Sequence, residues 1–171
     1  MDIVIKNAGA LVMTLTEIHE TMLRLTQCAL SKEKALREDD IAQLKDVLEQ
    51  EEEIIVFSAD LEKKRTAQIA ELIAELGIAE ENASLRLIAE KISDEEAKKA
   101  LLEIGAKLNE TITALRDKND MLSEVIKLKN DYAEVVLEAL TTGDDTARNY
   151  NASGMIEKQS EDSPGVVEFF A

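Results

Sequence analysis

The chain has 171 residues, of which 86 are Ala, Glu, Lys, Leu or Arg, with one proline and 3% aromatics. Half the residues in those five types is the composition of coiled coils and long helices, and the shortage of Gly/Pro turns and aromatic strand residues excludes all-β and α/β classes. The formal net charge of −16, from 36 acids against 20 bases, repels phosphate backbones and anionic headgroups, so nucleic acid and membrane are poor partners.

The first helix is expected from about Ala8 to Arg37. Leu11, Leu15, Ile18, Met22, Leu25, Ala29 and Leu36 step by fours and threes, with Lys32 at the one weak position, which is the spacing of an a/d seam. Glu38, Asp39 and Asp40 then supply acids suited to a helix N-terminus, and Asp40-Ile41-Ala42-Gln43 resembles a capping box. A second helix to Leu76 follows through Leu44, Leu48, Ile55, Leu61, Ile69, Leu72 and Leu76, with loosening expected at Glu51-Glu52-Glu53 and Ser58. Gly77 is the expected stop, because a left-handed residue after a helix is cheapest as glycine.

A short helix is expected from Ser84 to Ile92, with Leu85, Ile88 and Ile92 on one face. Ser93-Asp94-Glu95-Glu96 reads as a capping box that starts the last helix. That helix runs through Ala97, Leu101, Ile104, Leu108, Thr111, Leu115, Asn119, Leu122, Ile126, Lys129, Ala133, Val136 and Leu140, with a stutter at Asn119. Gly143 is the expected end. From 94 to 141 such a helix is about 70 Å long, enough to pack on the first two and leave part of its seam uncovered.

The fold expected is therefore all-α, an elongated antiparallel bundle of three long helices and a short connecting one over residues 1–142. Residues 143–171 read as a flexible acidic tail, polar except for Tyr150 and the terminal Val166-Val167-Glu168-Phe169-Phe170. The N-terminal residues lack a basic stretch followed by a sustained apolar one, and no window nears the ~18 apolar residues of a membrane span. The single cysteine, Cys28, fits a reducing compartment. A cytoplasmic location without membrane insertion is expected.

Signals for catalysis, metals or cofactors are sparse, and none is assigned. His19 is the only histidine, which rules out a di-iron Glu-x-x-His pair. It reads as a boundary residue of the first seam. A histidine phosphotransfer domain, also a bundle with one reactive histidine, usually carries a basic residue three positions later, where this chain has Met22. Glu51, Glu52 and Glu53 occupy consecutive positions that do not share a helix face, so a solvated face is the expectation rather than a metal site. Cys28 reads as a small buried apolar residue, and Gly105 as either a close approach or a tolerated mid-helix glycine.

Asn119 in the last seam either sets register and oligomeric state or faces solvent where helices diverge. Tyr150, in Asn149-Tyr150-Asn151-Ala152-Ser153-Gly154, is an aromatic with no core to enter and so a candidate anchor for a partner. Taken alone, the uncovered seam at Leu122, Ile126, Ala133, Val136 and Leu140 is a groove for an amphipathic helix, to be filled by another protein or, in a structural coiled-coil oligomer or homodimer, by a second copy.

Three patterns together resemble the FlgN family of flagellar export chaperones: the long antiparallel helices joined through Leu76-Gly77-Ile78 and the Ser84-Leu85 helix, the segment Leu115-Arg116-Asp117-Lys118-Asn119-Asp120-Met121-Leu122, and Tyr150-Asn151-Ala152-Ser153-Gly154. The resemblance covers nearly the whole chain. It implies a non-enzymatic cytosolic chaperone that holds the terminal helices of hook–filament junction proteins and delivers them to the flagellar export gate. The implied substrate surface spans Leu115, Asn119, Leu122, Ile126, Ala133, Val136 and Leu140, and the implied gate-docking residues are Tyr150 and Gly154. Phe169 and Phe170 fall outside the family pattern.

Overall fold

Four helices make up the structure, a computed structural model that describes residues 2–79 and 83–148: α1 (Asp2–Glu38), α2 (Ile41–Leu76), α3 (Leu85–Lys91) and α4 (Glu95–Arg148). No strand occurs among the described residues. Three long helices and one short one match the expected all-α class. The residues divide into two units, 1–126 and 127–171.

In the first unit, α1 and α2 run antiparallel. Asn7 donates to Glu75 (2.8 Å), Glu17 pairs with Lys64 (3.8 Å) and Lys32 with Glu51 (2.6 Å), so positions advance along one helix as they recede along the other. Both of the first two helices end in the same device. Asp39 (φ 53°) after α1 and Gly77 (φ 64°) after α2 are left-handed. The following amides, of Asp40 and Ile78, donate back to the carbonyls of Ala35 (2.9 Å) and Ile73 (3.1 Å). This is the Schellman closure, and it satisfies carbonyls that the helix itself leaves open. Asp40 then caps α2, its carboxylate accepting from the Gln43 amide at 2.9 Å.

Ser84 caps α3 by accepting from the Leu87 amide. At the start of α4 the cap falls on Asp94 rather than Ser93, with Asp94 Oδ1 accepting from the Ala97 amide at 2.8 Å. A carboxylate beside the positive end of a helix is the stronger acceptor. At its far end α4 continues through Gly143 to Arg148. Gly143 does not take the left-handed conformation that stops a helix, and an interior glycine weakens a helix by only about 1 kcal/mol without breaking it.

Two apolar clusters hold this unit. One gathers Leu11, Leu15 and Ile18 of α1, Leu61 and Leu72 of α2, Ile88 and Ala89 of α3, and Leu101 and Ile104 of α4. The other joins Leu25, Ala29 and Leu36 of α1 to Val47 and Ile54 of α2 and to Leu115 and Leu122 of α4. Each fully buried Leu or Ile contributes about 1.5–3 kcal/mol.

The phase of α2 follows the expectation at Leu44, Leu61, Ile69, Leu72 and Leu76 and differs by one residue at Leu48 and Ile55. Val47 and Ile54 are buried, whereas Leu48 and Ile55 face solvent. Of two adjacent apolar residues only one can face inward, since a helix turns about 100° per residue. The choice here places Glu51 in the seam opposite Lys32, whose Nζ lies 2.6 and 2.9 Å from the two carboxylate oxygens. The two weak seam positions thus satisfy each other, and no loosening follows between the buried Val47, Ile54 and Leu61. Gly105 is a close approach: a Cβ there would come within 2.6 Å of Leu85 Cδ2.

Candidate functional site

The second unit contains the end of α4 from Lys127. Every side chain from Lys127 to Thr141 is exposed. At 100° per residue, Leu128, Tyr132, Ala133, Val135, Val136, Leu137, Ala139 and Leu140 cover roughly 200° of the helix circumference. Lys129 falls inside that arc, between Val136 and Leu140, and Lys127, Asn130, Asp131, Glu134, Glu138 and Thr141 fill the remainder. Leu128, Tyr132, Val135, Leu137 and Leu140 are each 62–72% exposed. A run of bare large apolar side chains on one helix marks an interaction surface, unlike the scattered exposed Leu of an ordinary protein surface.

The expected site residues divide between two environments. Leu115 and Leu122 are 7% and 3% exposed and belong to the second core cluster. Asn119 is half-buried between them. Its Oδ1 is closed off from solvent with no hydrogen-bond partner among the described residues. Ile126 closes the first unit at 38% exposure, while Ala133, Val136 and Leu140 lie on the bare face of the second. Tyr150, Gly154, Phe169 and Phe170 lie outside the described residues.

A strict a/d reading missed Leu128, Tyr132, Val135 and Leu137. The signal that finds them is the width of the apolar arc: beyond Ile126 all polar residues except Lys129 fall within less than half the circumference, leaving an arc wider than one seam requires.

Elsewhere several polar groups of the first unit are engaged structurally. The Thr111 hydroxyl donates to the Lys107 carbonyl and lies within hydrogen-bond distance of His19 Nε2, each at 3.0 Å. Nε2 is thus engaged with a hydroxyl of α4 in a part-buried contact. Lys118 of α4 reaches Glu33 of α1 at 2.6 Å, and that hydrogen bond holds the Glu33 carboxyl below its ordinary range. Cys28 is buried, and burial together with the nearby Glu51 charge pushes its thiol up, leaving it protonated and unreactive near neutral pH. Glu51 turns inward to Lys32, while Glu52 and Glu53 point to solvent. Among the described residues no helix is long and apolar enough to cross a membrane.

The first unit is a helical bundle, and the end of α4 bares a wide apolar face. The chain belongs to the FlgN family, whose model, described as FlgN protein, matches residues 1–158. Membership makes it a chaperone of flagellum biogenesis, with a general role in flagellar export. The match takes in Tyr150 and Gly154 and stops short of Phe169 and Phe170. No curated protein and no solved structure matches the chain.

Proposed function

We propose that this chaperone binds the terminal amphipathic helices of hook–filament junction proteins on the bare face of α4, keeps them soluble in the cytoplasm, and delivers them to the flagellar export gate. The observation that carries the proposal is the exposure of Leu128, Tyr132, Val135, Val136, Leu137 and Leu140 along three turns of one helix. An apolar helix in water is soluble but adhesive, and an amphipathic partner laid along it removes both apolar faces from solvent. Ala133 lowers the surface between its larger neighbours, where a partner's large side chain fits. Leu115 and Leu122 serve as core of the first unit, packing α4 on α1 and α2, with the half-buried Asn119 between them. Tyr150, with Gly154, is the gate-docking element, on the strength of the family resemblance.

The test is titration of the full chain with the C-terminal helical segment of a hook–filament junction protein. A 1:1 complex with Kd about 1 μM or tighter is expected, equivalent to about −8 kcal/mol. Leu128→Asp with Val135→Asp weakens it about 100-fold or more while leaving the helical circular dichroism intact, since both side chains are exposed. Tyr150→Ala leaves that affinity unchanged and reduces capture by the export gate. Unaltered binding in the Leu128→Asp/Val135→Asp protein would remove the α4 face as the substrate site.

A further inference from the structure

The first half of α2 carries a second apolar line, wholly within residues 1–126. Ile41, Leu48 and Ile55 recur every seven residues and are 73, 47 and 53% exposed, with Val56 beside them at 64%. Their outward direction is fixed by the core. Val47 and Ile54, one position earlier, are buried against α1 and α4, so α2 cannot turn to hide the line without drawing those two out. From Ile41 to Ile55 the line is about 21 Å long, close to four turns.

Its surroundings carry almost one sign. Residues 38–62 contain ten acids and one base, Lys45. Glu52 lies on the line between Leu48 and Ile55, with Glu49 and Glu53 along one flank, all three exposed. Lys45 offsets only Glu49, through an exposed contact of 3.9 Å. Glu52 and Glu53 show no ion-pair partner among the described residues.

We propose that this face of α2 docks a basic amphipathic helix of another protein, its apolar stripe on Ile41, Leu48 and Ile55 and its Lys and Arg side chains against Glu49, Glu52 and Glu53. Charge selects this occupant. A second copy of the chain would bring the same acids against each other, and the chain's own residues 143–171 carry a net −4. Like charges across a desolvated interface disfavour both. Phosphate-bearing nucleic acid or lipid meets the same repulsion. Opposite charge instead steers a basic helix to the site and fixes its register, while the apolar line supplies the burial. The inference does not rest on the α4 face: it uses other residues on another helix.

The test uses a labelled synthetic helix of about 18 residues, leucines at heptad spacing flanked by lysines. It is titrated into the full chain carrying Leu128→Asp and Val135→Asp, so that the α4 face does not compete. Binding is expected, and Leu48→Asp with Ile55→Asp weakens it about tenfold or more, as does Glu49→Lys with Glu52→Lys and Glu53→Lys. Raising salt from about 50 to about 500 mM weakens it as well, because the charged groups lie in solvent. All the substituted side chains are exposed, and circular dichroism and the thermal midpoint confirm retained folding. The inference is overturned by binding that the α2 substitutions leave unchanged, by equal binding of a leucine/glutamate peptide, or by α2 substitutions that alter only self-association in light scattering.

Discussion

At Glu33 the Lys118 ammonium stands 2.6 Å away and holds the carboxyl below its ordinary 4.5. A folded-state pKa below the unfolded one adds stability that is present above about pH 4.5 and disappears as pH falls through the lowered value. Glu33→Gln therefore lowers the thermal midpoint slightly at pH 7, and the difference from the parent closes as pH falls through the lowered value, as paired melting curves from neutral into acid pH will show. Asn119 is the opposite case. A buried amide oxygen without a partner costs about 1–3 kcal/mol, and removing it in favour of an apolar group of similar size recovers part of that. Asn119→Leu is expected to raise the thermal midpoint by several degrees. If Asn119 instead sets assembly, the same substitution changes the light-scattering mass, so both quantities are measured on one sample.

At the scale of the element, one polar pair sits within the apolar seam between α1 and α2. Lys32 and Glu51 are 11% and 15% exposed at their side chains, so neither keeps much of its water shell. Glu51→Ala leaves a nearly dry ammonium unpaired and is expected to cost about 2–4 kcal/mol, whereas Lys32→Leu with Glu51→Leu is neutral or stabilising. Denaturant unfolding of the two singles and the double checks this, and a double as unstable as the singles would contradict it. Gly105 poses a milder conflict. Alanine improves α4 by about 1 kcal/mol but must push aside the end of the Leu85 side chain, so Gly105→Ala comes out near neutral, while Gly105→Leu displaces α3 and costs about 1–3 kcal/mol in the same assay.

At the scale of the whole molecule, the bare α4 face has consequences for assembly. The chain of 18.9 kDa exposes Leu128, Tyr132, Val135, Leu137 and Leu140 on one helix, and large exposed apolar patches favour association. Reversible homodimerisation at high concentration is expected, and it gives way to a 1:1 complex when a junction-protein helix is added. Light scattering during that titration distinguishes the readings. A dimer that survives substrate saturation would mean that a second copy fills the face, the structural coiled-coil alternative.

Much of this was legible before folding was considered. The helices, the turn at Asp39–Asp40, the Gly77 stop and the Ser84 cap follow from local signals, because capping and left-handed residues are decided within a few positions of the chain. The seam of α4 as far as Leu122 was legible too, since fours and threes admit one face. Three features were not. The choice between Val47 and Leu48, and between Ile54 and Ile55, is a rotation of one helix that only its packing partners can set: Val47 and Ile54 enter the cluster with α1 and α4, and Glu51 turns inward with them to Lys32. Whether Leu115 and Leu122 are core or binding surface depends on how far α1 and α2 cover α4. The sequence determined by itself that this is a bundle of long helices with an excess apolar face, because periodicity is a property of each helix alone. Which turns of that face remain bare was decided only by tertiary packing, because burial belongs to pairs of helices and to the length over which they meet.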